Sequence, residues 1–505
     1  MAEQTVMADG RVELDPAVDA TLGNSWLHNE DLAPVAVSKR TWTTYNYLAL
    51  WIGMAINVPS WMLASGLIGL GMSWTQAIFT IFLGNLIVLV PMVLISHAGT
   101  KYGIPYPVLS RASFGTLGAN VPAIIRALVA CGWFGIQTWV GGASLFAVIG
   151  ALLGKDSFWS TAAVVGGQPW TVWLSFAVFW AINMWIIIAG MEAIKKFEDW
   201  AAPFLIVVFL GLMALMVVQA GGFGPVVSTP GTKEGEFWSM FPLSLMGMIA
   251  FWSTLSLNMP DFTRFGRSQK EQAVGQALGL PTTMTLFPLV GVLTTSATVV
   301  VFGEAVWDPV ALTGKLDNPI LLIIMLAALA LATLTTNVAA NVVSPSYDFS
   351  NLWPTKISFK MGGIITGILG ILLQPWNLLS DPNQYIWGWL GTYGGATGAI
   401  AGVLIVDYWL IRKTHLKVAD LYRADGSYKY AGGFNWLAIV ALVVGIVFAI
   451  GGSPVQPILP NGLFDIQILH DLANYSWVVG LVVSGLVYYV LTMAVGRSAV
   501  AKQTA

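Results

Sequence analysis

Twelve long apolar runs separated by short polar connections dominate the chain. They fall at roughly 44–68, 75–97, 118–152, 171–190, 200–220, 238–258, 277–302, 318–342, 361–375, 385–411, 436–452 and 475–495. Each is near the length an α-helix needs to cross a bilayer. The ninth is short and rich in glycine, and the length of the third predicts tilt or extension beyond the bilayer. The first run is interrupted at Asn57-Val58-Pro59 and the sixth at Asn258-Met259-Pro260. A proline there removes a backbone donor and clashes with the preceding turn. Carbonyls freed at that depth need a buried partner, which a cation or a polar substrate could be. Ordinary proline kinks are the alternative. Paired interruptions about two hundred residues apart point to a transporter built from inverted repeats.

Composition agrees with the pattern. Of 505 residues, 56% are hydrophobic and 10% charged, and 23 are tryptophan. Mean hydropathy is +0.73. These values describe a polytopic membrane protein with aromatic belts at the bilayer interfaces. A net charge of −2 gives no argument for nucleic acid, and the single cysteine, Cys131, excludes a disulfide framework or a cysteine-based metal site. With the N-terminus inside, the outer loops hold only Lys155, Lys233 and Lys315 of the 23 Lys and Arg residues. That bias predicts cytoplasmic termini. The expected layout is a cytoplasmic N-terminal tail over 1–42, flexible at its start, and a transport core over 43–411. A cytoplasmic loop over 412–434, two peripheral helices over 435–496 and a short cytoplasmic tail over 497–505 complete it.

Polar groups inside the bilayer are costly and so mark candidate sites. The histidines His28, His97, His415 and His470 fall in loops or at helix ends, and Glu192, Asp199, Asp261 and Asp407 are read as rim residues that snorkel or anchor loops. With no Ser-His-Asp set and no intramembrane carboxylate cluster, a hydrolytic or metal-dependent membrane enzyme is disfavoured. The neutral polar residues say more. Trp133 and Gln137 are four apart and share a helix face, whereas Trp139 points elsewhere. An indole and an amide suit a flat heterocycle, though both could simply pack. Trp252, eight residues before Pro260, is a second such ring or a core residue. In the eighth run, Asn337 and Asn341 form an i,i+4 pair, as do Ala332 and Thr336, with Thr335 adjacent. Hydroxyls and freed carbonyls suit a small monovalent cation. The alternatives are hydroxyl bonding within the helix and amide bonding between helices.

At these residues the sequence closely resembles the nucleobase–cation symporter-1 family of hydantoin, allantoin, cytosine and uracil permeases. The stretches that carry the resemblance are Asn29-Glu30-Asp31-Leu32-Ala33-Pro34, Arg40-Thr41-Trp42 and Tyr102 through Gly115. With them go Trp133-Phe134-Gly135-Ile136-Gln137, Asn258 through Arg264, and Asn337-Val338-Ala339-Ala340-Asn341. The resemblance implies an all-α fold of twelve transmembrane helices. Ten form a 5+5 inverted-repeat core with helices 1 and 6 broken, and two are peripheral. It implies that Trp133 and Trp252 sandwich a substrate ring, that Gln137 and Asn341 hydrogen-bond it, and that Asn57 reaches its edge. Asn57 stands where hydantoin carriers of the family have Gln, which leans toward allantoin or another ureide. The implied sodium site uses carbonyls of Gly53, Ile56 and Ala332 and hydroxyls of Thr335 and Thr336. Gly53 replaces a larger residue, but a carbonyl ligand does not depend on its side chain. Leu390 is a candidate gate over the substrate.

The function expected is therefore secondary import of a planar, neutral heterocycle by symport with Na⁺. The alternative is a proton-coupled nucleobase permease of the same fold. The expected setting is the inner membrane, with a small-molecule substrate and the bilayer as partners, no nucleic acid, and a monomeric protein. An amino-acid or amine carrier would want a carboxylate in the site, and none is visible in the sequence.

Overall fold

A computed structural model describes residues 3–495 except 155, 190, 317, 380 and 454–461, and for 189–203, 335 and 339 it describes the backbone alone. The segment 497–505 and part of the outer connection 453–474 lie outside the described residues. Helix 1 has two halves, Thr44–Ala55 and Val58–Gly69, and is followed by helix 2 (Trp74–Tyr102), helix 3 (Asn120–Leu153), helix 4 (Trp170–Ala189), helix 5 (Met191–Gln219) and helix 6 (Phe237–Asn258). Helix 7 is Gln269–Phe302, helix 8 Pro319–Asn341, helix 9 Phe359–Leu372, helix 11 Trp436–Ile450 and helix 12 Ser476–Val495. Helix 10 spans Asn383–Ile411 and is π-helical at both ends. Among the described residues, eight helices are long and apolar enough to span a bilayer alone, the halves of helix 1 together make a ninth span, and three shorter apolar helices cover 204–219, 359–372 and 436–450.

The packing has an internal two-fold logic. Helix 1 packs on helix 7 as helix 6 packs on helix 2. Helix 3 packs on helix 9 as helix 8 packs on helix 4, and helix 5 lies against helices 7 and 8 as helix 10 lies against helices 2 and 3. Adding five to each helix number in the first half gives the second half. Because five is odd, the second unit enters the bilayer from the opposite side, which makes the repeat inverted. Helices 1, 2, 6 and 7 form one group and helices 3, 4, 8 and 9 another. Glycines allow close approach between helices. A β-carbon on Gly84 would sit 2.5 Å from the Met248 β-carbon, and one on Gly135 would sit 2.3 Å from the Gly370 carbonyl oxygen. Helices 11 and 12 pack mainly on helix 10 and on each other.

The two Asn-x-Pro interruptions differ. At Asn57 the backbone is extended (φ −145°, ψ 165°) and the halves of helix 1 meet at 61°. The Asn57 side chain makes this possible. Its Oδ1 accepts from Ser60 N–H at 2.7 Å, its Nδ2 donates to the Met54 carbonyl, and its backbone N–H reaches the Ala55 carbonyl at 3.0 Å. At the second site Met259 keeps right-handed helical angles, so only one residue interrupts helix 6 before Pro260–Thr263. Its N–H still bonds the Leu255 carbonyl at 2.8 Å. Asn258 there donates to Asp261 Oδ2 at 3.0 Å instead of capping a new helix.

Two expectations are corrected. The N-terminal segment is not loose: Gln4–Val6 and Val12–Leu14 form an antiparallel hairpin, and Gln4 bonds both Leu416 O and Val418 N at 3.0 Å. Arg40 holds the segment to the end of helix 2 through the carbonyls of Val35, Val12, Thr100 and Lys101. Burial pulls its guanidinium down to about 10. Second, Asp261 and Asp407 do not sit at a solvated rim; both are buried. Asp261 Oδ1 accepts from Tyr106 N at 2.9 Å. Asp407 accepts from Ser113 (2.9 Å), Arg412 (2.7 Å) and Tyr488 (2.8 Å). Burial is tolerated because each carboxylate is hydrogen-bonded. The side chains of Glu192 and Asp199 lie outside the described residues.

The Asp407–Arg412 pair joins helix 10, helix 12 and the inner loop. Asp407→Ala should destabilise the fold by roughly 3–5 kcal/mol, because it leaves Arg412 buried and uncompensated. The double change Asp407→Leu/Arg412→Met should recover much of that loss. Thermal unfolding in detergent measures both.

Candidate functional site

A cavity lies where helices 1, 3, 6 and 8 meet. It is small, about 30 Å³, and its walls include Asn57, Arg126, Trp133, Gln137, Phe251, Trp252, Thr254, Thr336 and Asn341. The four elements converge for local reasons. The broken helix 1 presents Asn57 at its bend. Helix 3 presents residues 126, 130, 133 and 137, spaced to share one face. Helix 6 is the most enclosed of the single long spans, with 83% of its apolar window buried against 28% for helix 12. Helix 8 packs against both halves of helix 1.

Of the residues expected in the substrate site, Asn57, Trp133, Gln137, Trp252 and Asn341 line this one cavity. The Trp133 indole donates to the Tyr393 hydroxyl at 3.2 Å, and Tyr393 donates to the Ala250 carbonyl at 2.9 Å. Trp252 stands edge-on to Trp51 at 5.1 Å. Phe251 meets both cavity indoles edge-on, each at 5.0 Å between ring centres. Asn341 is oriented by its neighbours: its Nδ2 donates to Asn337 Oδ1 at 3.1 Å, while Asn337 Nδ2 lies 3.1 Å from both Thr138 Oγ1 and Asn183 Oδ1. Trp139 does point away, toward Trp173, Phe176 and Trp376.

Leu390 is fully buried but is not on the cavity wall. Tyr385 and Ile386, from the same stretch of helix 10, touch helix 1 instead. The Tyr385 hydroxyl donates to the Pro59 carbonyl at 3.1 Å, and Ile386 fills the space beside Gly66.

At the expected ion site, the carbonyls of Gly53 and Ile56 accept no hydrogen bond from the described residues. Thr336 Oγ1 is buried without a partner and lies on the cavity wall. Ala332 is buried one turn before it. Thr335 is on helix 8, but its side chain lies outside the described residues. The Gly53 and Ile56 carbonyls on helix 1 and the Thr336 hydroxyl on helix 8 are oxygens of the kind a hard monovalent cation takes.

Sequence reasoning missed Arg126, Phe251, Thr254, Tyr393 and Asp348. Only Arg126 carried a signal. It falls on the Trp133 face at a two-turn spacing, but it reads equally well as the end of a span. Asp348 lies past the end of helix 8 by hydropathy, and only the fold brings it 3.6 Å from Arg126.

An inverted-repeat helical core with paired interruptions and a central polar cavity defines a membrane transporter, not an enzyme. Residues 34–480 match the family model for permeases of cytosine/purines, uracil, thiamine and allantoin, and the chain belongs to that family. It is 40% identical to the purine-uracil permease of Arabidopsis thaliana, over 96% of this chain and 80% of that protein. It is also 40% identical to the allantoin permease of Bacillus subtilis (strain 168), over 92% and 93% of the two chains. The solved structure of Mhp1, a nucleobase-cation-symport-1 family transporter in a closed conformation with bromovinylhydantoin bound, superposes with a TM-score of 0.76. That alignment covers 94% of this chain and 96% of the other at 24% identity. The expected inverted-repeat fold with its broken first helix stands. The chain is a multi-pass membrane protein of the permease type.

Because Asn337 fixes the Asn341 amide, Asn337→Ala should weaken ligand binding about tenfold, the worth of one or two hydrogen bonds. Tryptophan-fluorescence titration reads the change.

Proposed function

We propose that this permease imports a planar, neutral, amide-rich heterocycle of the nucleobase or ureide class, leaning to allantoin or hydantoin, by symport with Na⁺. The observation that carries the reading is a concentration of buried polar atoms without partners around one cavity. They are Gln137 Oε1, Trp252 Nε1 and Thr336 Oγ1, set among two indoles and the oriented amide of Asn341. Such atoms destabilise an empty site, and a ligand with matching donors and acceptors relieves them. The names of the allantoin and purine-uracil permeases point to the same class.

In this reading Trp133 and Trp252 stack the ring on its two faces. Gln137 and Asn341 meet its imide edge, and a ring lacking that pattern leaves them unpaired. Asn57 has one amide hydrogen and one lone pair beyond its capping bonds, and these face the ring edge. Gly53, Ile56, Ala332, Thr335 and Thr336 would hold Na⁺. Bound there, the ion would supply the positive charge that fixes the carbonyls at the break. Ordering of helix 1 then raises substrate affinity, and the coupling is reciprocal. Tyr385 and Ile386 of helix 10 close one end of the path, and the helix 3, 4, 8, 9 group moves against helices 1, 2, 6 and 7. The lysine and arginine bias supports a reading with both termini in the cytoplasm.

The test is tryptophan quenching of the purified protein with allantoin, hydantoin, uracil and cytosine, with and without Na⁺. One ring should quench saturably, more tightly with Na⁺, and about tenfold or more weakly in Trp133→Ala. Thr336→Ala should cut the Na⁺ enhancement about tenfold. Quenching indifferent to Na⁺ but steepened by acid would replace sodium with a proton as the coupling ion. For orientation, an impermeant maleimide should label Thr232→Cys but not Ser427→Cys in intact cells, against a background of the buried Cys131.

A further inference from the structure

We propose that Arg126 forms a second subsite at the other end of the cavity, one that takes the carbonyl oxygen of a ureido tail on the ring. This rests on the ring site above and narrows its substrate class. Residues 126, 130, 133 and 137 all line the cavity from one face of helix 3. Seven residues separate Arg126 from Trp133, about 10 Å along the axis, so the polar wall extends past the place where a single five-membered ring would stack.

Arg126 is 1% exposed, and its Nε and Nη1 have no hydrogen-bond partner. Its ion-pair partner among the described residues is Asp348, at 3.6 Å. That distance is too long for a good hydrogen bond. Both Asp348 carboxylate oxygens are also unpartnered. The guanidinium charge is therefore balanced while its N–H donors are not used. A neutral carbonyl fits that state, because it accepts from the guanidinium without adding charge. A carboxylate would add a further negative charge to the one on Asp348 and that of the buried Asp261 nearby. Thr254 from helix 6 lines the same cavity and offers an oxygen to an N–H group of a urea. A diamide ring carrying a ureido substituent, as allantoin is to hydantoin, places one group at each end.

The test compares affinities for allantoin and hydantoin by tryptophan quenching in the full-length protein. In the native protein allantoin should bind at least tenfold more tightly than hydantoin. In Arg126→Gln that ratio should fall toward one. Arg126→Gln/Asp348→Asn, which leaves no unpaired buried charge, should show the same fall and decides the matter if the single variant does not fold. A native ratio at or below one overturns the subsite. So does a ratio that either folded variant leaves unchanged, or tighter binding of the ring-opened ureido carboxylate than of allantoin. If neither ring binds the native protein, the ring site itself fails and this subsite falls with it. Ring binding without tail discrimination removes the subsite alone.

Discussion

A polar group buried in a membrane span costs free energy unless it finds a partner, and the break at Asn57 shows how one side chain supplies two. Bending helix 1 by 61° strands a carbonyl and an amide. The two ends of Asn57 satisfy both, through Met54 and Ser60. With the bend held locally, the carbonyls of Gly53 and Ile56 accept no hydrogen bond from the described residues, and helix 8 packs beside them.

The same contrast separates the two kinds of buried charge. Asp407 is surrounded by Ser113, Arg412 and Tyr488, and nothing is left for a ligand. It fastens the peripheral helices and the inner loop to helix 10, which is structural work. Arg126 and Asp348 are equally buried, yet Arg126 Nε and Nη1 and both Asp348 carboxylate oxygens have no partner among the described residues, and Arg126 lines the central cavity.

The cavity wall is divided between the two packing groups. Helices 3 and 8 carry Gln137, Asn341 and Thr336 in one group, while helices 1 and 6 carry Asn57 and Trp252 in the other. A ligand in the cavity touches both groups, so its binding energy depends on how they are placed. The N-terminal segment adds a tie across the same divide. Arg264, after helix 6, donates to the Asp31 carbonyl at 3.0 Å, while the Asp31 carboxylate accepts from Phe359 N at the start of helix 9 at 3.1 Å.

The sequence by itself determined the membrane class, the positions of the apolar runs and the paired Asn-x-Pro interruptions. It also determined the face shared by Trp133 and Gln137 and the Asn337–Asn341 pair. These are local properties, set by hydropathy, by proline and by helical spacing. Only the tertiary structure decided that the two interruptions differ, since a capping bond at Asn57 and a helical Met259 look alike as letters. It also put Tyr385 and Ile386 against helix 1, bound the N-terminal segment to the inner loop, and buried Asp261 and Asp407. Asp348 beside Arg126 is the clearest case. The two are more than two hundred positions apart, and only the packing of the short helix Val343–Leu352, which follows helix 8, against helix 3 brings their charges together.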